Sequence, residues 1–127
     1  MSRKNSETET DMVSSIQQFV RKLARRVDEK KGSEITIFDV RGISPLTDYL
    51  IIVTGLSEIH NRTIAEYIME NERPDHLEGY EIGHWILIDY INVIVHVFSK
   101  QAREFYGLER LWGDAPRLSV DHDKTTS

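Results

Sequence analysis

The sequence predicts an α/β (α+β) domain in which a single mixed β-sheet is flanked by helices. Two apolar runs, Trp85–Tyr90 and Val93–Phe98, are separated only by Ile91-Asn92. So short a gap between two strands predicts an antiparallel hairpin. Both faces of the second run are apolar, which is typical of a strand inside a sheet that is covered on both sides. We therefore expect this hairpin to lie at the centre of the fold.

The N-terminal quarter of the chain predicts an amphipathic helix, because apolar residues recur there at three- and four-residue steps. These residues are Met12, Ile16, Phe19, Val20, Leu23 and Val27. Asp11 suits the start of this helix and Gly32 suits its end. The polar residues 1–10 before it are expected to be a disordered tail.

The opposite face of the same predicted helix is basic. It carries Arg21, Lys22, Arg25 and Arg26. Such a cluster is either a solvated helix face or a contact for an acidic or RNA surface, and the spacing alone leaves both interpretations open.

The middle of the chain alternates between strand and helix signals. Glu34–Val40 and Asp48–Val53 are rich in β-branched residues and predict two strands. Ser57 then offers an N-cap for a helix that has to end before Pro74. A short extended piece, His76–Glu78, follows and leads through a loop to the hairpin. This order of elements predicts one mixed sheet with helices.

Behind the hairpin, Ser99–Trp112 predicts a helix that ends at Gly113. Four apolar residues at helical spacing are expected to pack into the core: Phe105, Leu108, Leu111 and Trp112. Three charged residues are expected to be exposed: Glu104, Glu109 and Arg110. We place the domain at residues 11–117 and a polar tail at residues 118–127.

Composition excludes several classes of function. The 127-residue chain is 39% hydrophobic, enough for one real core, and its net charge of −5 argues against a general nucleic-acid binder. With no cysteine, disulfides, a thiol nucleophile and a thiolate zinc site are excluded. No run approaches the roughly 18 apolar residues of a membrane span, and the N-terminus does not resemble a signal sequence. We expect a cytoplasmic protein without membrane contact.

The histidines do not predict a metal site, because no two of them have the i, i+4 spacing of a helical zinc site. His96 lies among valines in the middle of a predicted strand. It is either a core imidazole that a neighbouring group satisfies or a catalytic base, and we expect the core role. No metal, cofactor or catalytic residue is predicted.

One turn suggests an alternative, enzymatic function. Gly55-Leu56-Ser57 lies between a strand and a helix, where free backbone amides can bind phosphate. The turn also resembles that of nucleotidyltransferases, in which a nearby carboxylate pair holds magnesium ions. Here Asp39, Asp48 and Asp89 stand singly. A nucleotide-binding or nucleotidyltransferase-type enzyme that uses this turn and Asp48 is therefore the second hypothesis.

Several segments together resemble the Iojap-related ribosomal silencing factors, RsfS. In chain order they are Asp39–Ser44, Thr47–Tyr49, Thr54-Gly55, Glu78-Gly79, Trp85, Asp89-Tyr90, Val95–Phe98 and Arg103–Ala115. The last segment, which reads REFYGLERLWGDA, is long and rich in aromatic residues, so that a chance match is a poor explanation. The match covers most of the predicted domain.

This resemblance implies a nucleotidyltransferase-like fold that has lost its catalytic carboxylates, and a function without chemistry. Family members bind ribosomal protein fourteen of the large subunit and block joining of the small subunit, which represses translation. They have also been seen as homodimers. Carried over to this sequence, the family's contact region corresponds to Trp85, Asp89 and Tyr90, although Trp85 is equally suited to the core.

Two departures from the family pattern stand out. Ile91-Asn92 occupies the hairpin tip, where relatives usually carry Gly-Asp. Glycine tolerates positive φ and a β-branched residue does not, so either the turn differs or Asn92 takes the left-handed conformation. The stretch from Ser57 to Gly79 is also a few residues shorter than in the family, which predicts a second helix with about one turn less.

Overall fold

The computed structural model describes residues 2–120, with side chains from residue 11 onward. Its elements in chain order are α1 (Ser2–Glu29), β1 (Ser33–Asp39), β2 (Tyr49–Gly55), α2 (Glu58–Met69), β3 (His76–Glu78), β4 (Trp85–Asp89), β5 (Val93–Ser99), α3 (Lys100–Tyr106), the 3-10 helix η1 (Leu108–Trp112) and β6 (Arg117–Leu118). Residues 121–127 of the expected polar tail lie outside the described residues.

The six strands form one mixed sheet in the order β3-β4-β5-β2-β1-β6. β2 and β5 pair in parallel at its centre, and the other neighbours are antiparallel. Every residue of β2 is buried, as expected for a strand that is covered on both faces. The predicted α+β class and the hairpin are confirmed. The expected central position holds for β5, whereas β4 lies next to the edge strand β3 and is buried on one face only.

The two faces of the sheet are covered to different extents. α1 and α2 pack on one face and form the larger core with alternate residues of the central strands, including Ile51, Val53 and Ile88. On the other face, α3 and η1 cover a smaller cluster that includes Phe38, Leu50 and Phe98. α3 and η1 are short, with seven and five residues, so they leave part of this face of the sheet exposed to solvent.

α1 has the predicted amphipathic face, on which Val20, Leu23 and Val27 are fully buried. The helix begins at Ser2, however, and so includes residues 2–10, where the sequence predicts a disordered tail. No proline or glycine lies between Ser2 and Asp11, and Glu and Lys propagate a helix readily, so that no local signal ends it earlier. The start predicted at Asp11 is therefore too late.

The basic face of α1 mainly contacts other parts of the same chain. Lys22 forms an ion pair with Glu72. Arg26 donates to the carbonyl oxygen of Ile68 at 3.1 Å, near the carbonyl end of α2, where a cation is favourable. Arg21 donates to the carbonyl oxygen of Ser119 at 3.3 Å. Arg25 is exposed, so the solvated face and the contact for an acidic or RNA surface both stay predictions.

The helix predicted at Ser99–Trp112 is in fact two short helices. Gly107 has a left-handed backbone, with φ of 56°, and its amide closes α3 on the carbonyl of Arg103. Glycine adopts this conformation without steric cost, so the chain turns there and continues as η1. The turn exposes Phe105 and Leu111, whereas Leu108 and Trp112 pack on the smaller cluster. The predicted core role is therefore wrong for Phe105 and Leu111.

Of the three charged residues that the sequence predicts to be exposed, two are exposed. Glu104 and Arg110 are exposed as expected, but Glu109 is partly buried beside Arg103. Leu118, which the sequence assigns to the polar tail, lies in β6 and pairs with Ile37 of β1. A strand of two residues is too short to produce an alternating pattern.

Arg103 is a buried cation that joins three parts of the fold. Its Nη1 donates to the Glu34 carbonyl at 2.7 Å and to Thr54 Oγ1 at 2.9 Å, while Nη2 donates to Thr36 Oγ1 at 3.2 Å. Nε and Nη2 also donate to the two carboxylate oxygens of Glu109 at 2.8 and 3.0 Å. All five guanidinium N–H groups therefore have an acceptor. The guanidinium also lowers the pKa of the Glu109 carboxyl.

We expect Arg103→Met to lower the free energy of unfolding by about 3–5 kcal/mol, because it leaves the partners of a buried ion pair without a counter-charge. Denaturant titration measures this loss. Arg110→Met is the matched control, since Arg110 is exposed, and it should change stability by less than about 0.5 kcal/mol. Equal effects of the two substitutions would contradict the role of Arg103.

Candidate functional site

The open part of the sheet lies on the hairpin. Along β4, alternate residues point to opposite faces, so Trp85, Leu87 and Asp89 share one face while Ile86 and Ile88 are buried against the other. Ile94 of β5 pairs with Asp89 and lies on the same side. The exposed side chains Phe105 and Tyr106 stand beside Trp85 on α3. We call these six residues the hairpin face: Trp85, Leu87, Asp89, Ile94, Phe105 and Tyr106.

An aromatic column runs through the hairpin face from the core to the surface. The ring of Trp85 stacks on buried Phe98 at 4.9 Å between centroids and meets Tyr106 at 4.6 Å. Tyr106 in turn meets Phe105 edge-on at 5.1 Å. Tyr106 is 55% exposed and Phe105 is 82% exposed. The column therefore presents large apolar rings to solvent on a rigid base.

Trp85 is partly buried and takes part in both core and surface. Its Nε1–H donates to His96 Nδ1 at 2.9 Å, and one edge of its ring lies in the smaller cluster. His96 is the satisfied core imidazole that the sequence predicts. Burial lowers the pKa of His96 to about 4, so the ring is neutral at pH 7 and can accept this hydrogen bond.

Asp89 has a local role at the end of β4. Its Oδ1 accepts a hydrogen bond from the Ile91 backbone amide at 2.7 Å, which caps the hairpin turn. The side chain remains partly exposed on the hairpin face. In the paired strand β3, Glu78 is opposite Leu87 and His76 is opposite Asp89, so one acidic side chain and one histidine border this face.

Tyr90 does not lie with the other two predicted contact residues. Its ring faces α1, where it meets Phe19 edge-on at 5.2 Å, and its hydroxyl donates to the Glu72 carbonyl at 2.8 Å. Burial raises the pKa of the Tyr90 hydroxyl. The structure thus brings Trp85 and Asp89 to one face and places Tyr90 behind it. Sequence reasoning missed Leu87, which the period-two alternation from Trp85 to Asp89 could have identified.

At the hairpin tip, Ile91 and not Asn92 has the left-handed backbone, with φ of 72°. The Asn92 amide donates to the Tyr90 carbonyl at 2.8 Å and closes a three-residue turn around Ile91. Asn92 Nδ2 donates to Asp48 Oδ2 at 3.0 Å. The sequence alternative that puts Asn92 in the left-handed conformation is therefore wrong.

The Gly55-Leu56-Ser57 turn has a structural explanation. A Cβ atom on Gly55 would lie 1.9 Å from Asn61 Oδ1, so close packing requires glycine there. The Leu56 amide donates to His60 Nδ1 at 2.9 Å, and the His60 amide donates to Ser57 Oγ at 3.0 Å. These amides are occupied within the chain itself.

The parts of the alternative enzyme site also lie far apart. Asp48 precedes the first residue of β2, whereas Gly55 is its last residue, so about 20 Å of strand separates Asp48 from the turn. Within residues 11–120, no three His, Asp or Glu side chains cluster closely enough to hold a metal ion. No helix in this part of the chain is long and apolar enough to cross a membrane.

Comparisons with known proteins agree with this fold. The family model for the ribosomal silencing factor during starvation, RsfS, matches residues 13–127. A ribosomal silencing factor RsfS of Halalkalibacterium halodurans is 37% identical over 112 residues, which cover 84% of this chain and 96% of that protein. A crystal structure of a protein from Chromobacterium violaceum has a TM-score of 0.73 and 29% identity, and covers 77% of this chain and 86% of that one.

A more distant relative is a mouse protein named for the mitochondrial assembly of the ribosomal large subunit. It is 26% identical over 92 residues, which cover 66% of this chain and 40% of that protein. The fold and these matches define a class of ribosome-related proteins that regulate translation. Within that class, the chain belongs to the family of ribosomal silencing factors, RsfS.

We expect the stability of the fold to fall by about 3 kcal/mol between pH 6.5 and pH 4 through His96 alone. The pKa of His96 is lowered from 6.5 to about 4 in the folded protein. The unfolded chain therefore takes up this proton first as the pH falls, which favours unfolding.

Denaturant titrations from pH 7 to pH 4 measure this loss. His96→Gln should reduce the pH dependence, because an amide oxygen can accept from Trp85 but does not titrate. The same slope in His96→Gln as in the parent chain would contradict the assignment.

Proposed function

We propose that this chain binds the large ribosomal subunit through ribosomal protein fourteen and thereby blocks joining of the small subunit, which represses translation. The observation that carries the proposal is the hairpin face, with its exposed aromatic column beside partly exposed Asp89. Membership of the RsfS family supports the general role. The name of the mouse relative supports a large-subunit partner.

The chemistry of the hairpin face suits a ribosomal protein. Binding energy at protein interfaces concentrates in a few aromatic anchors within a rigid setting, and Phe105 and Tyr106 fit that description. The hairpin face contains Asp89, Glu78 borders it, and the chain carries a net charge of −5. Such a surface favours association with a basic partner and raises its rate.

The three contact residues proposed from the sequence have different roles in this mechanism. Trp85 supports the aromatic column and contacts the partner with its exposed edge. Asp89 meets a basic group of the partner. Tyr90 faces α1, and we propose that it acts indirectly by holding the hairpin against Phe19 and Glu72.

Silencing of this kind is steric and stoichiometric. The bound chain would occupy space that the small subunit needs, so neither turnover nor a cofactor is required, and the place of action is the cytoplasm. We also propose that two copies can pair through the exposed rings, since a large apolar patch favours association. In that case, homodimerisation and ribosome binding compete for the hairpin face.

We expect the purified chain to sediment with isolated large subunits and not with small subunits. In a reassociation assay it should lower the fraction of joined ribosomes in proportion to the large subunits bound. Unchanged joining at saturating protein would refute the steric mechanism.

Phe105→Ala should weaken binding to large subunits by about 2 kcal/mol. Its melting temperature should be almost unchanged, because the side chain is 82% exposed.

Asp89→Asn should lower the rate of association with large subunits and the salt dependence of that rate, because it removes a charge but keeps an acceptor for the Ile91 amide. Ile59→Ala is the control, since Ile59 is an exposed apolar residue on α2, away from the hairpin face. Wild-type affinity for both test variants would exclude the hairpin face as the contact.

We expect no magnesium-dependent transfer from any nucleoside triphosphate, because no three His, Asp or Glu side chains among residues 11–120 cluster closely enough to hold a metal ion, and Asp48 lies at the far end of β2 from Gly55. Incubation with labelled nucleoside triphosphates and candidate acceptors tests this. Turnover that disappears in Asp48→Asn would instead support the nucleotidyltransferase alternative.

A further inference from the structure

The hairpin tip holds a side chain in an unfavourable backbone conformation. Ile91 has a φ of 72°, in the left-handed region. A β-branched residue is a genuine outlier there, because its Cβ substituents crowd the backbone. Strain of this kind persists only where the surroundings impose it, and it often marks functional sites.

The fold itself gains little from isoleucine at this position. The side chain is 59% exposed, so it contributes little to the core. The bonds that hold the turn use the Ile91 amide, the Asp89 carboxylate and the Asn92 amide, and none of them needs an isoleucine side chain. Asparagine or glycine would adopt this positive φ with less strain than a β-branched residue.

Two further apolar residues are exposed at the same end of the sheet. Leu46 is 78% exposed and Ile43 is 53% exposed, both in the loop that leads from β1 to β2. The Asp48 amide at the end of this loop donates to the Asn92 carbonyl at 3.1 Å, and Asn92 Nδ2 returns a bond to the Asp48 carboxylate. These bonds fix the loop to the hairpin tip. We call Ile43, Leu46 and Ile91 the tip patch.

Within the tip patch, Ile91 adjoins the hairpin face. Asp89 belongs to the hairpin face, and its carboxylate binds the Ile91 amide directly. A partner that contacts Asp89 is therefore close to Ile91, two residues further along the chain. An exposed, rigidly held apolar side chain beside a charged contact is the arrangement of an interface anchor.

We propose that the tip patch is a second contact area for the ribosomal protein that binds the hairpin face, and that Ile91 is its anchor. This inference rests on the proposed function. The matching surface of the partner is an apolar depression next to the basic group that meets Asp89. The backbone strain at Ile91 is then the free-energy cost of presenting this side chain to the partner.

The substitutions Ile91→Asn and Ile91→Gly separate strain from binding. Both remove the apolar side chain and both tolerate positive φ. We expect both variants to melt at or above the wild-type temperature, and to bind isolated large subunits about tenfold more weakly. Ile82→Asn is the matched control: Ile82 is 68% exposed and lies before β4, at the opposite end from the tip. It should bind as the wild type does.

The outcomes separate this inference from the proposed function. If the wild type and Ile82→Asn bind and both Ile91 variants bind equally well, Ile91 is no anchor and only this inference fails. If both Ile91 variants melt earlier than the wild type, the side chain stabilises the fold and the inference is also overturned. If the wild type itself does not bind large subunits, both the proposed function and this inference fail.

Discussion

The buried guanidinium of Arg103 is the interaction on which the rest of the structure depends. It joins the start of β1, the end of β2 and η1, and it does so from α3. A buried cation is tolerated only when its donors are satisfied and its charge is paired, and both conditions hold here. Arg103 thereby fixes α3 and η1 over the β1–β2 half of the sheet. On this face of the sheet, the outer part of the hairpin stays open to solvent.

That asymmetric cover creates the candidate site. α1 and α2 close one face of the sheet, but Gly107 ends α3 after only seven residues and turns the chain away from β4. Trp85 is therefore buried along one edge and open along the other, and the rings of Tyr106 and Phe105 continue outward from it. A longer α3 would cover more of the sheet and leave less room for a partner.

Much of the fold could be predicted from local sequence signals, and the site only in part. The hairpin, the Ser57 N-cap and the short strand at His76–Glu78 follow from spacing and capping chemistry that act within a few residues. The partners of Arg103 could not be predicted, because Glu34 and Thr54 approach it only in the folded chain.

Other differences have equally physical reasons. The break at Gly107 and the exposure of Phe105 depend on how the chain packs after α3. The spacing of apolar residues along a helix does not predict that packing. The separation of Tyr90 from Trp85, by contrast, was available in the sequence. Side chains on the same face of a strand are separated by an odd number of residues. An even number, residues 86–89, lies between Trp85 and Tyr90, so the two side chains are expected on opposite faces.

The central claim is that this chain binds large ribosomal subunits with its hairpin face and not with its helical face. Hydrogen–deuterium exchange, measured on the chain free and bound to isolated large subunits, tests this most directly. Protection is expected in the hairpin tip and in α3, around Ile91, Phe105 and Tyr106, while α1 and α2 exchange as in the free chain. Protection confined to α1 and α2, with the hairpin and α3 unchanged, would contradict the account.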